Sequence, residues 1–325
     1  MRRIFFLSLS MLICTAGICL AAARLWPAET SRSPAPDAET TLTVLIDGAR
    51  TETTMADYLP GVVAAEMPAS FEPEALKAQA VAARTYILDH AAHRVDRHKD
   101  ADVCSDPGCC CAGVSDEAMR ENWGRDYRKN LRKIRAAVTA TDGETVVFGG
   151  VPIRAVFHSA SAGRTEDSAA LWGALPYLVS VDSPETAADV PGFVTEVTIS
   201  VDEMRAALEE KSPGLALPED PGTWLGEIQT DASGRVESLT LGGVTLSGSD
   251  VRSLFSLRST AFTAEWNGEA FVFTVSGSGH GVGMSQYGAN VMAKNGSDYR
   301  EILTHYYPGT ELRGGDEMDE SRVES

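Results

Sequence analysis

Glycines 277, 279, 281 and 283 occupy every second position in "GSGHGVGMSQYGA", and this alternation restricts what the surrounding chain can become. No register of it yields G-x-G-x-x-G, which excludes a dinucleotide phosphate cradle. Ser285 follows Gly283 by two residues, but Tyr287 stands where the G-x-S-x-G nucleophile elbow needs glycine. Glycine has no Cβ, so its backbone can approach another surface closely. Two readings remain: a turn that ends a strand, or a loop lying against a ligand with His280, Gln286 and Tyr287 facing inward.

A chain of 325 residues is long enough for one large domain or two smaller ones. Its net charge of −18 argues against nucleic acid and anionic headgroups as partners. Arg2 and Arg3 precede an apolar run from Ile4 to Ala23, about 20 residues and so long enough to cross a bilayer as a helix. Residues 1–23 are therefore expected to be a single-pass anchor in the cell membrane, with the remainder extracytoplasmic. Ala21, Ala22 and Ala23 keep a cleaved signal peptide as the alternative. Ile13 and Ile18, ahead of Cys14 and Cys19, argue against lipidation. Residues 24–40, rich in Pro, Ala, Ser, Thr and Glu, have the composition of a linker, and 313–325 that of an acidic disordered tail. The folded unit is then 41–312.

Within it, "TLTVLID" alternates as a half-buried strand does. "MADYLPGVVAAEMP" is a short helix stopped by Pro68, which leaves Glu66 near its C-terminal end. "PEALKAQAVAARTYILDH" has a first-turn proline and alanines throughout, and it is the strongest helix. "RENWGRDYRKNLRKIRAAVTATDG" is also helical in pattern, with short strands expected after it at "TVVF" and "IRAVFHSAS". Residues 193–275 add strands, a helix over "DEMRAALEEK" and a hairpin whose Asn267-Gly268 centre suits a type I′ turn. The fold class is mixed α/β (α+β): a core of helices and short mixed strands with an inserted, smaller, β-rich lobe.

Glu66 carries the chemistry in this reading. A helix C-terminus and flanking Val62, Val63 and Met67 both disfavour its ionised form and raise its pKa, as a general acid requires. Glycoside hydrolysis normally uses two carboxylates, and no second one is equally marked. A lytic transglycosylase needs only one, because the C6 hydroxyl of muramic acid attacks the anomeric carbon. Lys77 and Arg84, two turns apart, project from one helix face. His98, Cys104, Cys109 and Cys110 are candidate zinc ligands, with a Cys104 to Cys110 disulfide as the alternative. His158 and Ser159 end an apolar strand and, together with His280, suggest a polar groove.

Three blocks, "GVVAAEMPASFEPEALKAQAVAARTYIL", "FHSASAGRTEDSAALWGALPYLVSVDSP" and "GHGVGMSQYGANVMAKNGSDYREILTHYYPGTEL", closely resemble the stage II sporulation protein D family, which is related to amidase-enhancer proteins. The resemblance implies a membrane-anchored lytic transglycosylase that cuts peptide-free peptidoglycan strands during engulfment. It implies a cell-wall amidase and a further membrane protein as partners. Glu66 falls on the family's catalytic glutamate, and Lys77, Arg84 and Tyr287 on motif positions associated with activity or glycan binding. In this chain cysteine stands at 109, where the family commonly has histidine. A non-catalytic, glycan-binding amidase activator is the alternative function. A zinc hydrolase of stem peptides is disfavoured, because no H-E-x-x-H pattern occurs.

Overall fold

A computed structural model describes residues 35–314 apart from positions 47, 95 and 107. The expected anchor at 1–23 and nearly all of the tail lie outside the described residues. Among the described residues no helix is long and apolar enough to cross a membrane.

The chain opens with the antiparallel hairpin β1 (Thr41–Ile46) and β2 (Ala49–Thr54). Helix α1 (Met55–Glu66) follows, with the Thr54 hydroxyl accepting from the Asp57 amide at its start. It ends where Met67, held extended ahead of Pro68, leaves the helical region. Helix α2 (Pro73–Ala92) runs through the core, and Ala75, Ala78, Ala80, Ala82 and Ala83 are all fully buried. Leu76, Ala80, Ala83 and Ile87 fall at helical spacing and mark one apolar stripe, but the helix is covered on nearly every side, and small side chains let its neighbours approach that closely.

Strand β3 (Val103–Cys104) pairs in parallel with β1. The helix expected over 120–143 breaks in two: α3 (Asp116–Trp123) ends at Gly124, whose φ of +49° stops it, and α4 (Tyr127–Ala140) restarts after a 3₁₀ turn. Strands β4 (Thr145–Phe148) and β5 (Val151–Pro152) form a hairpin. The strand expected across "IRAVFHSAS" shrinks to β6 (Phe157–His158).

The second hydrophobic cluster is built from β7 (Val194–Ser200), α5 (Val201–Lys211), β8 (Leu225–Thr230), β9 (Val236–Leu241), β10 (Val244–Ser247), α6 (Gly248–Leu254), β11 (Phe262–Trp266) and β12 (Ala270–Ser276). Its first and last strands, β7 and β12, pair side by side, so both ends of this lobe return to the core at one place. The turn between β11 and β12 is not type I′. That type needs positive φ at both central residues, and of Gly268 and Glu269 only Gly268 (φ +99°) has it, which fits type II′.

The chain then re-enters the core. Strand β13 (Met284–Ser285) pairs in parallel with β6, and α7 (Gln286–Lys294) and α8 (Tyr299–Tyr306) pack on α2. β14 (Glu311–Arg313) closes on β4. One part of the linker segment belongs to this core: Asp37 is 3% exposed and its carboxylate takes two hydrogen bonds from Arg84 at 2.6 and 2.7 Å.

Candidate active site

Glu66 is the last residue of α1 and borders two adjoining hollows. The larger, a cavity of ≈ 600 Å³, is lined by Tyr86, Asp89, His90, Arg154, Trp172 and His280 among others. The smaller, ≈ 360 Å³, is lined by Pro68, Phe71, Trp123, Ser159, Gln286 and Tyr287. Two donors hold the carboxylate: the Ala112 amide reaches Oε1 at 3.2 Å and Gln286 Nε2 reaches Oε2 at 3.3 Å. Burial raises the Glu66 pKa, and these two hydrogen bonds partly oppose the rise. The carboxyl is therefore held in place while its proton is retained above the usual carboxylate range.

Gln286, Tyr287 and Ser159, named separately from the sequence, line the smaller hollow together with Glu66. The Tyr287 amide donates to the Ser159 carbonyl at 3.0 Å, and its ring meets Phe71 edge-on at 4.9 Å. His280 borders the larger cavity. Its Nδ1 accepts from the Val282 amide and its Nε2 faces the Phe157 carbonyl at 3.0 Å, so the ring is neutral with its proton on Nε2. Burial lowers its pKa to about 4.

Three expected binding residues lie elsewhere. Arg84 is 1% exposed and is committed to Asp37 and the Glu144 carbonyl. Lys77 pairs with Glu74 at 2.7 Å and sits over the Tyr299 ring. Their shared helix face turns into packing between elements rather than into the groove. His158 is buried with both ring nitrogens engaged, by the Val282 carbonyl and by Ser161 Oγ at 2.7 Å. Burial pushes its pKa far down, so it supports the loop as a neutral ring.

The alternating glycines have a structural reason. A Cβ on Gly277 would lie 2.6 Å from the Ala160 carbonyl, on Gly279 2.8 Å from His158 Cβ, on Gly281 2.4 Å from the Arg235 guanidinium and on Gly283 2.1 Å from the Val156 carbonyl. The protein's own atoms already fill the space that a ligand-facing loop would leave open. Gly281 is where the β-rich lobe meets the core, through buried Arg235. Glu185, which carries no marked sequence signal, anchors this region from below by accepting from Ser285 Oγ and the Ser161 amide.

His98, Cys104, Cys109 and Cys110 place their donor atoms within 4.8 Å of one another, and His98 Nε2 is 3.2 Å from Cys110 Sγ. All of the described cysteines are free thiols. One imidazole and three thiolates at such spacing are a donor set that zinc accepts. The same loop delivers the Ala112 amide to Glu66 two residues after Cys110.

Sequence reasoning missed Trp172, Arg154, Tyr86 and Trp123. Trp172 is 51% exposed and its ring centroid lies 5.1 Å from that of His280. An isolated tryptophan in sequence reads as core, and only the fold reveals its open face.

Comparison with known proteins adds a relationship. The family model described as "Stage II sporulation protein" matches residues 48–148. Stage II sporulation protein D of Bacillus amyloliquefaciens is 39% identical over 265 residues, covering 81% of this chain and 75% of that protein. Its counterpart in Bacillus subtilis (strain 168) is 38% identical over 266 residues, with the same coverage. The amidase enhancer of Bacillus subtilis (strain 168) is 29% identical and covers 78% of this chain but 40% of its own length.

Proposed function

Because the chain belongs to the stage II sporulation protein D family, we propose that it is a peptidoglycan lytic transglycosylase acting in sporulation, with Glu66 as its acid and base. The observation that carries this reading is the setting of Glu66: a carboxyl with its pKa raised by burial, held by two donors, at the junction of two hollows.

The chemistry balances with one residue. Protonated Glu66 gives its proton to the glycosidic oxygen as the C1–O4 bond breaks, and O4 leaves as an alcohol on the released sugar. The resulting carboxylate, held by Gln286 and Ala112, takes the proton from the C6 hydroxyl as O6 bonds to C1. The product is a 1,6-anhydromuramoyl end, and Glu66 is protonated again. A hydrolase would need a second free carboxylate. Asp89 borders the same cavity but is tied to His93 at 3.1 Å and Arg154 at 3.6 Å.

Zinc bound by His98, Cys104, Cys109 and Cys110 supplies no reacting group in this scheme. Held there, it would fix the loop that presents the Ala112 amide. We further propose that residues 1–23 anchor the chain with its groove outside the cytoplasm. A cell-wall amidase that strips stem peptides and a further membrane protein are its expected partners.

The likeness to the amidase enhancer favours a second reading, a glycan-binding activator of an amidase. One experiment separates the two. Peptide-free strands are incubated with the full chain and with Glu66→Gln, and their ends are identified by mass spectrometry. Anhydromuramoyl ends made only by the unsubstituted protein support the transglycosylase. Strands bound but uncut by both proteins support the activator.

A further inference from the structure

A net charge of −18 conceals an uneven distribution. Seven of the 28 lysines and arginines fall within residues 120–135, against two acids, Glu121 and Asp126. Arg120 is paired with Asp116. Arg125, Arg128, Lys129 and Arg132 are exposed and form no salt bridge among the described residues.

Lys129, Asn130 and Lys133 share one face of α4 by their three- and four-residue steps. With Trp123, Pro68, Ser70 and a single acid, Asp126, that face lines a hollow of ≈ 540 Å³. Trp123 and Pro68 also line the hollow containing Gln286 and Tyr287, and Glu66 joins that hollow to the larger cavity. The three hollows therefore adjoin in series, with Glu66 between the first and second and Trp123 between the second and third.

We propose that the substrate groove continues past Trp123 along the cationic face of α4, and that this stretch binds glycan carrying free carboxylates. The inference rests on the glycan-cleaving reading above. A muramoyl residue bearing a stem peptide has its lactyl carboxyl locked in an amide, whereas one stripped of peptide exposes an anion. A stripped strand therefore presents a series of carboxylates directly on its sugar backbone, within reach of a lysine-bearing wall, whereas a peptide-bearing strand carries its carboxylates out along the stem peptides. Lys129 stands exposed on that wall, and Lys133 Nζ donates to the Phe71 carbonyl and keeps further donors. Half-buried Trp123 offers an aromatic face at the bend, suited to a sugar ring. The rest of this acidic surface repels other polyanions, so the cationic face selects an anion that can also thread the groove.

The test measures binding by the full chain carrying Glu66→Gln, which removes turnover. Fluorescently labelled peptide-free strands are compared with the same strands after their carboxyls are converted to methylamides. The expected result at low salt is about fivefold tighter binding of the free-carboxyl strands, a preference that shrinks as salt rises. Lys129→Glu should abolish the preference and leave affinity for methylamide strands unchanged, and Lys129→Arg should restore it. Equal affinity for the two strands would overturn the proposal. So would tighter, Lys129-dependent binding of a glycerol-phosphate polymer or duplex DNA, which would assign the face to phosphate. Failure of the glycan-cleaving reading shows separately, as an absence of anhydromuramoyl ends with Glu66 intact, and leaves the binding preference to be scored independently.

Discussion

Asp37→Ala offers a sharp test of what Arg84 is for. Arg84 is 1% exposed and Asp37 3%, and the two make paired hydrogen bonds at 2.6 and 2.7 Å. The remaining Arg84 donors reach the carbonyls of Glu144 and Val138. Removing Asp37 leaves a buried cation with no compensating anion, a change that costs about 3–5 kcal/mol. For a folded body of this size that corresponds to a fall of roughly 5–9 °C in Tm. Adding Arg84→Met removes the stranded charge and keeps an unbranched stem, so the double variant should regain most of the loss. Thermal unfolding of the single and double variants, with strand cleavage measured well below both midpoints, separates the possibilities. If Arg84 acts through the fold, the double variant cleaves as the wild type does. A single variant that loses less than about 1 kcal/mol would refute the buried-pair argument, and a stable double variant unable to cleave would return Arg84 to the groove.

Gly281→Val places a Cβ 2.4 Å from the Arg235 guanidinium at a φ of +88°. It is expected to destabilise the protein by about 2–4 kcal/mol in chemical denaturation, and a fully stable variant with impaired glycan binding would contradict the packing role. Burial, reinforced by Asp231, raises the Glu166 pKa to about 7. Its folded-state value thus exceeds the unfolded one, so the stability it contributes is complete below the unfolded pKa and lost as pH rises through 7, by at most about 3 kcal/mol. Glu166→Gln should flatten the decline between pH 5 and 8, and an unchanged slope would exclude this group. Zinc titrated into the full chain is expected to bind one to one and to fail to bind Cys104→Ser, in which the loop should also free the Ala112 amide from Glu66. Losing that donor raises the Glu66 pKa further, so the alkaline fall of kcat/KM should move to higher pH, and an unmoved profile would uncouple the loop from the acid.

Local signals carried far where the cause was local. Pro68 and Pro73 mark the end of α1 and the start of α2 because proline acts on its own neighbours, and Glu66 at a helix end among valines is visible as a perturbed carboxyl. Reading failed where the cause lay at long range. Nothing near Gly281 announces Arg235, nothing near Arg84 announces Asp37, and both partners alter what the residue does. Lys77 and Arg84 do share a face, but sequence periodicity says which residues point together, not toward what. Net charge misled for a related reason, since a sum over the chain cannot show that cations gather on α4.

The junction of Glu66 with Gln286 also sets a clock. The acid lies on α1 and its partner 220 residues later, and the parallel pairing of β6 with β13 joins Phe157 to Met284 across the whole β-rich lobe. Such distant pairings form late in folding. A chain emerging N-terminus first acquires Glu66 early but gains its Gln286 donor and the floor of the groove only once β13 and α7 have emerged. Synthesis itself therefore withholds the assembled Glu66 site until α7 has emerged.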